Sequence, residues 1–288
     1  MSSFLRKAGE VQPHTSYLIC ATARSGSTLL CEALKNTGLA GQPEEYFLPA
    51  NEDFFSKELW GVSSYADYLV RVIKEGTSSN GVFGAKIMWA YVDDFVGKLR
   101  SIPGYERLPV PELLSTVFPN LHYIWITRSD KVRQAVSYEK AIQTCVWAVI
   151  DETSKTPLSG SRLRESYMKN LKESDKIVAS DKPLCRSSFI KELEFDFAHI
   201  DFLLGRIKSH EAAWQKYFAE NGITQFTVVY EDLAVAYEQT AIRILHELNV
   251  PIPEALKFLP RSMKPQADSL SKEWIQHYHE FNRLIACY

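Results

Sequence analysis

The chain has 288 residues, 45% of them hydrophobic and 24% charged, enough to bury a full core and within the range of one large α/β domain. Its 33 Lys and Arg against 35 Asp and Glu give a formal net charge of -2, which offers no broad basic field. That argues against non-specific nucleic-acid binding and against an electrostatic membrane anchor. The five cysteines (Cys20, Cys31, Cys145, Cys185, Cys287) lack Cys-x-x-Cys spacing, so neither a disulfide framework nor a zinc knuckle is indicated, and reduced thiols are expected. There is no apolar leader and no apolar run near ~20 residues, so a cytoplasmic protein without a transmembrane span is expected.

Residues 1–16 are polar and read as a lead-in. Tyr17 to Ala21 has the composition of a buried parallel strand, and Leu29, Leu30, Ala33 and Leu34 recur at helical spacing, so Thr22 to Ser27 is a turn between the two. A strand end that turns into a helix N-terminus aims several free backbone N–H groups and the positive end of the macrodipole at one spot. Gly26 permits close approach there, Ser27 and Thr28 add hydroxyl donors, and the ligand such a spot suits is a phosphate. It is not a Walker A loop: the opening glycine is Ala21 here, Ser27 stands where the lysine would follow Gly26, and the cation is Arg24.

The first helix is expected to stop near Thr37-Gly38, and Gly41-Gln42-Pro43 then forces a loop carrying Glu44-Glu45-Tyr46-Phe47. Aromatics beside carboxylates suggest packing or a ligand floor. Ser63 and Ser64 can cap a helix through Glu75, and Val82 to Met88 is a second buried strand whose only charge is Lys86. That lysine either sits at an edge and snorkels or neutralises a transferred anion. Val92 to Arg100 reads as helix, and Pro109 and Pro111 open a short one.

A third strand, His122 to Ile126, leads into Thr127-Arg128-Ser129-Asp130, with Asp130 as cap of a helix through about Gln143 that carries Ser137. Arg128 either meets a ligand at the strand's carboxyl end or pairs with Asp130 at the surface. Residues 151–188 shift to Ser, Thr, Lys, Asp and Pro and are expected to form an insertion with the length of a lid. Phe195 to Glu220 is a long core helix, Gln225 to Leu233 a fourth strand ending in acids, and Tyr237 to Leu248 an amphipathic helix. Pro251, Pro253 and Pro260 keep the next segment extended, and a last helix runs from about Ser271 to Phe281. His277 and His279, two apart, face different sides of that helix, which disfavours a metal site.

Strands alternating with helices predict a mainly parallel central sheet flanked by helices, with the phosphate loop and Arg128 at strand carboxyl ends facing one ligand. The loop resembles the 5′-phosphosulfate loop of sulfotransferases that use 3′-phosphoadenosine 5′-phosphosulfate (PAPS). Arg128 and Ser137 resemble their 3′-phosphate pair, although the serine follows by nine residues where many members have eight. The whole is similar to the trehalose 2-sulfotransferase-type bacterial carbohydrate sulfotransferases. It carries Arg24-Ser25-Gly26-Ser27-Thr28-Leu29-Leu30, Gly41 to Phe47, Gly81 to Trp89, Gln134 to Ser137, Ala141 to Trp147, and Gln266-Ala267-Asp268 with Glu273-Trp274.

The resemblance implies a P-loop NTPase-like sulfotransferase fold over residues 1–288 and metal-free in-line transfer of a sulfuryl group from PAPS to a hydroxyl of a sugar or glycolipid. A small secondary metabolite is the alternative acceptor, because residues 151–188 depart from the family pattern. The resemblance also implies that Arg24, Ser25, Gly26, Ser27 and Thr28 hold the 5′-phosphosulfate, Arg24 stabilises the leaving group, and Arg128 and Ser137 bind the 3′-phosphate. Glu45 maps to the general base, with Tyr46, Phe47 and Lys86 toward the acceptor, and a homodimer is compatible with the family. From the residues alone Glu44 and Glu45 rank equally, and the roles of Arg261 and Lys264 stay open. Two other classes are weighed: a nucleotide kinase, which Mg²⁺-dependent ATP binding would indicate, and a non-catalytic nucleotide-binding protein, in which Glu45→Ala would change nothing.

Overall fold

The computed structural model describes residues 13–149, 192–264 and 268–286. Four strands, β1 (Thr15–Ala21), β2 (Val82–Met88), β3 (Leu121–Thr127) and β4 (Gln225–Val229), form one sheet in the order β2-β1-β3-β4, every neighbouring pair parallel. β1 is buried along its whole length, as a parallel strand covered on both faces must be. Leu18 and Cys20 point into one apolar cluster with Phe83 and Phe118, whereas Tyr17, Ile19 and Ala21 point into a second with Leu30, Ile124 and Ile244. The connection after β1 runs to β2 on one side and the connection after β3 runs to β4 on the other, so the two diverge between the carboxyl ends of β1 and β3, the place for a crevice.

Ten α-helices are described: α1 (Ser27–Lys35), α2 (Pro49–Asp53), α3 (Tyr65–Gly76), α4 (Val92–Arg100), α5 (Val110–Val117), α6 (Lys131–Thr144), α7 (Phe197–Glu220), α8 (Tyr230–Val235), α9 (Tyr237–Glu247) and α10 (Ser269–Ala286). The expected caps form: Ser64 accepts from Asp67 N–H and Asp130 from Arg133 N–H. A third apolar cluster joins α6, α7 and α10, with Ala135, Leu203 and Trp274 fully or nearly fully buried in it.

Three expectations need correction. β4 stops at Val229, and Tyr230 already begins α8, because Glu231 and Asp232 favour the positive end of a helix over a continued strand. Lys86 lies on β2, an edge strand of the sheet, but is only 4% exposed, so it does not snorkel. Cys145 is disulfide-bonded, whereas Cys20 and Cys31 are free and buried. Beyond these, residues Pro49 to Trp60, to which the sequence assigned no element, form α2 and a π-helical turn. The insertion expected at 151–188 lies outside the described residues.

Candidate active site

The turn from β1 into α1 is held by backbone that few residues adopt. Arg24 has φ 62 and Gly26, the N-cap of α1, has φ 93, which leaves the first N–H groups of α1 free of side-chain caps and facing outward. Beneath the turn, Gln134 of α6 is fully buried and donates to Thr22 Oγ1 at 3.0 Å and to the Ala23 carbonyl at 2.7 Å. Trp214 of α7 donates to the Ala21 carbonyl at 3.0 Å. These bonds fix a loop that has little regular structure of its own.

A cavity of about 900 Å³ opens at this spot, and Arg24, Gly26, Ser27, Thr28, Glu45, Lys86, Arg128 and Ser137 all line it. Arg24 joins two of the expected subsites: its Nε donates to Ser137 Oγ at 3.0 Å, and its Nη1 donates to the Trp147 carbonyl. Around them stand Arg133, Lys140, Arg261 and Lys264, with Asp268 the acid on that side, so the wall is strongly cationic. Lys140 is bound by Asp268 at 2.6 Å and Arg133 by Asp130 at 3.3 Å. An excess of cations around a helix N-terminus suits a ligand with several negative charges. Among the described residues no group of three or more His, Cys, Asp or Glu could hold a metal, and no helix is long and apolar enough to cross a membrane.

Glu44 and Glu45 separate here. The Glu44 carboxylate pairs with Lys35 away from the cavity, while its carbonyl accepts from Lys86 N–H in a bridge to β2. Glu45 lines the cavity and pairs with Lys86 at 3.0 Å, and Lys86 Nζ also reaches Thr28 Oγ1 at 3.4 Å. Burial opposes the charge on Lys86, but Glu45 and its neighbours hold the ammonium above its usual range, so it stays protonated. The Asn51 amide of α2 donates to the Glu45 carbonyl at 2.9 Å and fixes the backbone of the turn.

Three site expectations change. Tyr46 and Phe47, expected as an acceptor floor, lie in the core at 4% and 1% exposure, because α2 and the turn after it fold them inward. Phe47 packs on Phe95 with ring centroids 4.1 Å apart, and Tyr46 donates to the Gln42 carbonyl at 2.8 Å. Ser25 is fully buried and outside the cavity lining, and its N–H donates to the Thr22 carbonyl at 3.3 Å.

Residues the sequence did not single out line the cavity near Glu45: Asn51, Tyr91, Tyr138, Arg206 and His210. Burial, then Glu45, pushes the Tyr91 hydroxyl up to about 12. Burial, then the Arg206 charge, lowers His210, which is therefore neutral near pH 7. Tyr230 of α8 was likewise hidden, because it sat inside what read as a strand end. Gln134 stood in the sequence only as part of the island Gln134 to Ser137, because Arg133 beside it is polar too and nothing local marked it as buried.

The family model described as Stf0 sulphotransferase matches residues 16–179 and 173–280. The chain is 27% identical to the trehalose 2-sulfotransferase of Mycolicibacterium smegmatis, over 92% of this chain and 94% of that one. It is 25% identical to the trehalose 2-sulfotransferase of Mycobacterium tuberculosis, over 91% and 93% respectively. A solved sulfotransferase from Alicyclobacillus acidocaldarius aligns over 93% of this chain and 92% of its own at 14% identity, with a TM-score of 0.43. With a family model covering most of its length, the chain belongs to the Stf0 sulphotransferase family and is a sulfotransferase.

Proposed function

We propose that this sulfotransferase moves the sulfuryl group of PAPS to a hydroxyl of a sugar or sugar-bearing lipid, with Glu45 as general base. The observation that carries this reading is convergence: Arg24 and Thr28 from the β1–α1 turn, Arg128 and Ser137 from β3–α6, and Glu45 with Lys86 line one cavity. The names of the two curated relatives support the sugar acceptor.

In this mechanism the N–H groups of Gly26 to Thr28 and the Arg24 guanidinium hold the 5′-phosphosulfate, and Arg128 with Ser137 holds the 3′-phosphate. The acceptor oxygen attacks sulfur in line. As the new O–S bond forms, Glu45 takes the hydroxyl proton, and the S–O bond to phosphorus breaks with its electron pair leaving on adenosine 3′,5′-bisphosphate. Arg24 and the loop N–H groups stabilise the charge that grows on that oxygen. Lys86 keeps Glu45 oriented and lies close enough to Thr28 to face the transferring group as well.

Titration calorimetry with adenosine 3′,5′-bisphosphate and with AMP, both without metal, tests the donor. Tight binding of the bisphosphate, weak binding of AMP, and loss of the difference in Arg128→Ala are expected; equal affinities, or binding only of ATP with Mg²⁺, would sink the assignment. Glu45→Gln should bind the bisphosphate as the parent does and lose about 10²- to 10⁴-fold in turnover. Unchanged turnover would remove Glu45 from the chemistry.

A further inference from the structure

We infer that Tyr230 is the positioning residue for 3′-phosphate recognition: its ring is a spacer that holds Arg128 at a set distance from the phosphate loop. The inference rests on the donor reading above and concerns a residue that reading does not use.

The ring of Tyr230 lies against Gly26. A Cβ at Gly26 would stand 2.3 Å from Tyr230 Cδ2, so the loop can pass only where residue 26 has no side chain. Over the same ring sits the Arg128 guanidinium, its Cζ 4.6 Å from the ring centroid. One aromatic plate thus touches the N-cap of α1, where the 5′ group would dock, and the arginine assigned to the 3′ group.

What holds Arg128 matters as much as where it is. Its side chain is 10% exposed, and burial pulls it below the usual guanidinium range, an effect Tyr230 and Glu231 oppose. Glu231 Oε1 lies 3.7 Å from Arg128 Nε, beyond hydrogen-bond reach, because that carboxylate is taken up by the N–H groups of Ser129 at 3.0 Å and Asp130 at 3.5 Å. Arg128 Nε makes no hydrogen bond. A carboxylate clamp would consume the N–H donors lying in the guanidinium plane; stacking on a ring face holds the group by its face and leaves those donors for an oxyanion. The geometry therefore keeps Arg128 fixed and its donors available, and Tyr230 supplies the fixing.

The test compares Tyr230→Leu, which keeps apolar bulk against Gly26 but removes the ring face, with Tyr230→Phe, which keeps the face. Calorimetry reads the ratio of affinities for adenosine 3′,5′-bisphosphate and AMP in each. Tyr230→Leu should lose about tenfold of that ratio while AMP affinity stays within about twofold, and Tyr230→Phe should keep the parental ratio. An unchanged ratio in Tyr230→Leu, or equal losses for both nucleotides, overturns the inference by reducing Tyr230 to packing. If Tyr230→Leu does not fold, a Tyr230→Phe ratio that drops as far as that of Arg128→Ala overturns it, and a parental ratio supports it. A parent protein that does not distinguish the two nucleotides overturns the donor reading itself, an outcome separate from any behaviour of the variants.

Discussion

Glu44 and Glu45 are neighbours with the same side chain, and what separates them is which lysine each one meets. Lys35 takes the first and Lys86 the second, and only the second pair faces the cavity. Lys86 is 4% exposed, so Lys86→Met strands the Glu45 carboxylate without its cation and should cost about 3 kcal/mol, read as a lower urea midpoint. Cys31 offers a second check on the same neighbourhood. Burial pushes its thiol up to about 12 against the lowering pull of Lys86, so at pH 8 it should resist iodoacetamide in the folded protein and react once urea is added. The lone charge of Lys86 in an apolar strand was legible in the sequence. Its partner was not, because Glu45 and Lys86 are brought together only by the pairing of the 44–45 turn with β2.

The turn between β1 and α1 was legible because the period of the apolar residues changes across it and Gly26 marks the break. The π-helical turn Phe54–Trp60 was not, since its repeat does not match the 3.6-residue period by which helices are found. Missing that element meant missing its effect: Phe55 stacks on Trp60 with centroids 4.9 Å apart and packs on Tyr46 at 5.8 Å, which draws Tyr46 out of any ligand's reach. Tyr230 was lost for a related reason, as a helix starting directly at a strand end leaves no break in the apolar run. Gly26→Ala tests the turn itself. A methyl at φ 93 facing the Tyr230 ring should cost about 1–3 kcal/mol in thermal unfolding and abolish bisphosphate binding at concentrations that saturate the parent.

For the whole molecule, a parallel sheet flanked by helices followed from the alternation of elements, but the order β2-β1-β3-β4 did not. Which strands flank β1 is settled by crossovers that span most of the chain, and by contacts such as those of α6 with α7 and α10. One of those long-range ties is open to titration. Lys140 of α6 holds Asp268, at the start of α10, down to about 2. The folded value is below the unfolded one of about 3.9, so the tie contributes fully above that pH and is lost as pH falls toward 2. Asp268→Asn should therefore remove the part of the acid-stability profile between about pH 4 and pH 2, measured as urea midpoints against pH. The cavity walls have a separate origin that bears on descent. The turn at Glu45, α2 and α7 build the side carrying Asn51, Arg206 and His210, while β1–α1, β3–α6 and α8 build the cationic side. On the proposed reading, heritable change can accumulate at Asn51, Arg206 and His210 while Glu45 and the cationic side keep the transfer chemistry, so a lineage built on this plan can take up a new hydroxylated compound without reinventing how the sulfuryl group is moved.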